Sequence, residues 1–302
     1  MKNVATKLDK LNLMDKFLFD EVMEDAECYQ AVIRILLENE IEILERPETE
    51  KEFRVSPQLR QIRLDVIGMD KEKKIYYTEM QQKNTGNLKK RSRYYQAQLD
   101  VSLLEPGSTD FNLLNDSCFI MIAPFDIFGK GLYRYTFEGV CRECPELKIG
   151  DGAVRVFINT KGKNREAFSQ EFLDFMGYIT SSTDETAETI ESARIRQIHE
   201  NVRKIKASEK IGVKYMQRWE EIAYAKQEGM SKGEIIRLIK QICKKIEKNK
   251  SLEEISEELE EALEVVRPIY EQAFEADPPY DYEKIYENCR AEGCLPAEKE
   301  VQ

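Results

Sequence analysis

The chain has 302 residues, 34% charged and 41% hydrophobic, with 46 Lys+Arg against 57 Asp+Glu and a formal charge of −11. This length and apolar content exclude wholesale disorder, and with no 18-residue apolar run and a polar start the expectation is a soluble, cytoplasmic protein with no membrane partner. One histidine, His199, leaves little room for a His-based triad or a His-rich zinc site, and seven scattered cysteines read as reduced thiols, so chemistry is expected from carboxylates, amides and lysines.

Residues 15–45 place Phe17, Val22, Ala31 and Ile35 at helical spacing and predict one or two helices. Pro47 and Pro57 bracket what reads as a polar loop. Two β-rich runs, Arg63 to Gly68 and Ile75 to Gln81, surround the polar Asp70-Lys71-Glu72-Lys73-Lys74 and predict a hairpin. Lys89 to Leu104 has helical composition and stops before Pro106-Gly107. Cys118 to Ala123 is wholly apolar and predicts a buried strand, with further strands over Leu132–Phe137 and Ala153–Ile158. From Arg165 the chain turns to long charged helices. The expected fold class is α/β, a sandwich over residues 12–165, followed by a helical extension over 166–246 and an acidic amphipathic helical tail over 247–302. That tail carries 17 acids and 6 bases, so the rest of the chain is neutral. Leu252, Ile255, Leu259, Leu263, Val266 and Ile269 give the tail an apolar stripe that could pack internally or join two copies in a homo-oligomer.

The hairpin carries the chemistry. With residues 70–74 as the loop, Met69 faces Ile75 and Asp65 falls opposite Glu79. Two carboxylates paired across a ladder repel, which makes sense if a divalent cation sits between them. Gln81 emerges two residues on, on the same face as Glu79, while Leu64, Val66, Tyr76 and Met80 are expected to point the other way, into a core. Hard oxygen donors without His or Cys suit Mg²⁺ or Mn²⁺. The competing reading is a half-exposed hairpin that happens to carry two acids, and a one-residue slip would separate them. Lys83 to Gln98 holds Lys83, Lys89, Lys90, Arg91 and Arg93 with no acid, beside Tyr94 and Tyr95, which reads either as a solvated helix face or as a surface for nucleic-acid phosphates.

The string Ile62-Arg63-Leu64-Asp65-Val66 followed by Tyr77-Thr78-Glu79-Met80-Gln81 resembles the Rpn family of recombination-promoting nucleases and transposase-like proteins, a branch of the PD-(D/E)XK nucleases. Lys90 to Gln96, Ile122 to Gly131 and Phe157 to Gly162 match as well, so the resemblance runs over about residues 12 to 180. It implies a Mg²⁺-dependent DNA endonuclease with Asp65 on the second core strand and Glu79 on the next as metal ligands, joined by the Met80 carbonyl. Gln81 stands where the motif lysine would, and Leu64 where its proline would. An early helix often adds an acid, for which Glu21 is the first candidate and Asp20 and Glu24 follow. The DNA backbone would lie along Lys89, Lys90, Arg91, Arg93 and Tyr94, with Arg93 nearest the site. Two other functions stay open: a catalytically inactive nuclease-fold protein that binds DNA or regulates, and an interaction module acting through the helical tail. Cys141-x-x-Cys144 lacks two further ligands for zinc, and His199 is expected at the surface.

Overall fold

A computed structural model describes residues 8–44, 47–53, 62–104, 107–276 and 278–292. Two helices come first: α1 (Lys16–Met23), whose first turn is capped by the Asp15 carboxylate accepting from Phe17 N–H at 3.0 Å, and α2 (Ala26–Leu37), capped in the same way by Asp25. Strands β1 (Glu48–Phe53), β2 (Ile62–Met69) and β3 (Ile75–Met80) then form an antiparallel meander. Helix α3 (Leu88–Leu103) crosses over to β4 (Ser117–Ala123), which runs parallel to β3; β5 (Arg134–Phe137) and β6 (Ala153–Asn159) complete one mixed sheet in the order β1-β2-β3-β4-β6-β5.

The hairpin register is the expected one, with Met69 opposite Ile75 and Val66 opposite Thr78. Expected strands at Cys118, Leu132 and Ala153 are present to within two residues at each end. The segment read as a polar loop after Pro47 holds β1 instead. Its sequence, Glu-Thr-Glu-Lys-Glu-Phe, is polar because β1 is an edge strand, and edge strands are kept charged against unwanted pairing. Pro57 and residues 54–61 lie outside the described residues.

The sheet is covered on both faces. On one, Val66, Tyr76, Met80, Ile120, Ile122 and Ile158 meet α1, α2 and the later helices α4 (Gln170–Thr180) and α6 (Ala193–Ala207), which precede and follow the short α5 (Asp184–Glu188). On the other, Leu64, Ile67, Tyr77, Phe119, Met121 and Phe157 meet Leu88 and Leu99 of α3. Leu64 therefore does not share the face of Val66. Opposite Asp65, Glu50 of β1, between the paired residues Thr49 and Lys51, has a left-handed φ of 52°.

Compact units divide at 215/216, not at 165 and 246. Phe172, Phe175, Ile179, Ile195, Ile198 and Val202 are buried in the same core as β3 and β4, so the helices after β6 complete the sandwich rather than extending it. Their charged outer faces make them read as separate in sequence. Within helix α7 (Glu209–Ile246) the division falls after Tyr215. The second unit buries Ile239, Ile242 and Cys243 with Ile255 of α8 (Leu252–Leu259), Val266 and Ile269 of α9 (Leu263–Glu275) and Ile285 of α10 (Tyr282–Ala291). The tail's apolar stripe is thus consumed in this unit's own core. His199 is buried, not at the surface; its ring lies between the Tyr178 hydroxyl and Asp184, each at 3.0 Å. Among the described residues no helix is long and apolar enough to cross a membrane.

Candidate active site

Asp65 and Glu79 sit where β2 and β3 part, and their carboxylates take over hydrogen bonding at that end of the hairpin. Glu79 Oε1 accepts from the Asp65 N–H at 3.2 Å, and Asp65 Oδ2 accepts from the Met80 N–H at 2.8 Å. Both residues are buried. A single exchange thus ties each acid to the other's strand and holds both at one point. The resemblance implied this placement, second strand and third strand, and the register expected from the loop supplies it.

Cations approach the pair from both layers. Lys16, in the first turn of α1, ion-pairs with Asp65 Oδ1 and lies 3.2 Å from Asp20 Oδ2, one turn further along the helix. Arg91 of α3 donates to Gln81 Oε1 and stands 3.8 Å from Glu79 Oε2. Asp20 has both oxygens buried without a hydrogen bond, so Lys16 is its counter-ion. Burial, and then the Asp65 charge, push the Asp20 carboxyl up to about 8. Burial with Asp65 beside it likewise raises Glu79 well above the ordinary carboxylate range. For Lys16, burial acts to lower the pKa, but Asp65, Asp20 and Glu79 outweigh it and the net direction is up.

Other expected residues separate into those at the site and those beside it. Gln81 reaches the cluster through Arg91 and also donates to the Lys83 carbonyl, so its amide keeps one lone pair and one N–H. Met80 enters through its N–H while its side chain packs in the core. Glu21 is turned away and pairs with Lys214, so Asp20, not Glu21, is the helix acid beside Asp65. On α3, Leu88, Ser92, Gln96 and Leu99 are buried and Lys89, Lys90, Arg93 and Tyr94 are exposed, which leaves Arg91, not Arg93, aimed at the carboxylates. Lys89 stands over the Phe128 ring at 4.7 Å.

Lys16 is the residue that sequence reasoning missed. Its signal was there: a Lys–Asp pair four apart in the otherwise apolar Lys16-Phe17-Leu18-Phe19-Asp20. A helix buried on that side has reason to carry those two only if they answer a charge within.

The donor set fits a hard divalent cation. Its groups are carboxylate oxygens, and Asp20 leaves buried oxygens unsatisfied. Among the described residues no group of three or more His, Cys, Asp or Glu side chains is arranged to hold an ion. Mg²⁺ does not require one, since it commonly binds through one or two carboxylates and retains waters. Asp65 and Glu79 would be those two. No protein-family model, no curated protein and no solved structure matches the chain.

Proposed function

We propose that the chain is a nuclease of the PD-(D/E)XK type, akin to the Rpn family, that hydrolyses DNA phosphodiester bonds with Mg²⁺ or Mn²⁺ in cytoplasmic recombination or mobile-element processes. The observation that carries this is the Asp65–Glu79 pair, two buried acids interlocked at the parting of adjacent strands with helix-borne cations around them. A fold built for stability alone avoids such a pair. The meander, crossover helix and parallel fourth strand agree with the fold the resemblance implies.

A bound divalent cation would polarise the phosphoryl oxygen and make a water nucleophilic near neutral pH. Asp65 and Glu79 would hold the ion, which would relieve the repulsion between their like charges. Gln81, braced by Arg91, presents its remaining lone pair to an attacking water. Arg91 and Lys16 face the negative charge that gathers on the phosphoryl group. The basic face of α3 holds the backbone through Lys89, Lys90 and Arg93.

A second reading, a nuclease-fold protein that binds DNA without cutting it, is favoured by two observations: glutamine at position 81 and the Lys16 ammonium seated on Asp65. Plasmid nicking separates the two. Purified protein is expected to nick supercoiled DNA with Mg²⁺ or Mn²⁺ and Asp65→Ala to lose this; cleavage unaffected by Asp65→Ala defeats the site assignment, and no cleavage by wild type with any divalent ion favours the non-catalytic reading.

A further inference from the structure

Strands β3, β4 and β6 run parallel, so the segments after Met80, Ala123 and Asn159 emerge at one edge of the sheet, the edge where Glu79 lies. Ligands of open α/β sheets gather at such carboxyl edges. The loops after β4 and β6 are built as one rigid piece. Asp126 accepts from the N–H groups of Phe128, Gly129 and Gly131 at 2.9, 2.8 and 2.6 Å and from the Tyr135 hydroxyl at 2.8 Å. Lys163 N–H donates to the Gly131 carbonyl at 2.7 Å, the Asn164 side chain accepts from Tyr133 N–H, and the Asn159 side chain bridges the Leu132 carbonyl and the Lys161 N–H. Gly162 lies so close to Tyr133 that a Cβ would fall 2.4 Å from its backbone nitrogen.

This rigid piece presents Lys130, Lys161, Lys163 and Arg165 to solvent, and none of the four is held in an ion pair by a described residue. Residues 160–165, Thr-Lys-Gly-Lys-Asn-Arg, contain no acid. Tyr133 beneath them belongs to the core on the α1 and α2 face, whereas α3 covers the opposite face. With neighbouring strands about 4.8 Å apart, the loop after β6 starts about 10 Å from the end of β3. Cations from both layers therefore flank the carboxylates.

Resting on the nuclease reading above, we infer that the loop after β6, through Lys161 and Lys163 with Lys130 and Arg165 beside them, is a second backbone-binding surface. It would grip one strand of a duplex while Lys89, Lys90 and Arg93 of α3 grip the other, with the scissile phosphate between. Preformed loops carry the cations at fixed spacing, so little ordering is needed on binding.

The test is the salt dependence of binding of a fluorescent 30-base-pair duplex to the full chain, without a divalent ion so that nothing is cut. The variants are Lys161→Gln/Lys163→Gln, the charge-retaining Lys161→Arg/Lys163→Arg, and Lys71→Gln/Lys73→Gln in the β2–β3 loop at the opposite edge. Two lost phosphate contacts should reduce the log–log salt slope by about 2 and the affinity at low salt by more than about ten-fold, while the arginine pair and the opposite-edge pair keep wild-type behaviour. An unchanged slope in the glutamine pair, an equal loss in the opposite-edge pair, or a loss confined to single strands overturns the inference. If wild type nicks plasmid and the glutamine pair binds duplex normally, only this surface is wrong; if wild type neither binds nor nicks, the nuclease reading falls with it.

Discussion

Lys16 holds the charge balance around Asp65. Its side chain is 31% exposed while those of Asp65 and Asp20 are 4% exposed, so it is the member of the three most open to water. Lys16→Met would leave two buried acids without their ammonium. The expected cost is about 1–3 kcal/mol, less than for a fully buried pair because solvent screens the lysine. Mg²⁺ should recover more of that loss than it adds to wild type, so melts with and without the ion check it; equal ion responses would show that Lys16 and the cation do not share a site. Asp20 gives a pH signature. Its carboxyl is raised from an ordinary value near 4 to about 8, so the fold favours the protonated form. That contribution is complete below about pH 4 and is lost as pH climbs through about 8. Asp20→Asn should flatten the fall in melting temperature over that window and exceed wild type by on the order of 5 °C at pH 8. Parallel curves for the two proteins would contradict it.

At the scale of elements, the sequence was most informative where one periodicity served one purpose. The wholly apolar run Cys118–Ala123 of β4 and the hairpin around residues 70–74 were legible because both faces of β4 are buried and because the loop length set the register. β1 was not, since an edge strand protects itself with the polar residues that also mark loops. Alternation predicts Leu64 on the face of Val66, but Leu64 packs with α3 and Val66 with α1 and α2, while Asp65 between them meets Lys16 of α1. The spacing of Lys16 and Asp20 marks them as a pair and Asp20 as a candidate acid, but only the fold, which brings α1 to the end of β2, shows that the pair answers Asp65. The loops after β4 and β6 depend on backbone fit. Gly162→Ala would drive a Cβ into the backbone of Tyr133, which cannot move aside as a side chain would. The expected loss is about 1–3 kcal/mol, read from the denaturant midpoint at unchanged m-value. A midpoint within error of wild type would mean the two loops are not locked together.

For the molecule as a whole, charge and fold divide along different lines. The acidic balance lies in residues 247–302, and the sandwich unit ends at Tyr215. The candidate site lies wholly within the first unit, where 36 acids stand against 33 bases, so attraction of a polyanion must come from local cations rather than from the overall field. The central claim is that the Asp65–Glu79 pair is one divalent-cation site. Its most direct test is the melting temperature of wild type and Glu79→Gln, with and without Mg²⁺ at fixed ionic strength. Replacing Glu79, whose pKa burial and the like charge of Asp65 push up, should leave the metal-free variant as stable as wild type or more so, because glutamine still accepts from the Asp65 N–H. Mg²⁺ at 100 times its dissociation constant should add about 2.7 kcal/mol to wild type and little to the variant. Identical Mg²⁺ responses in the two proteins would contradict the account.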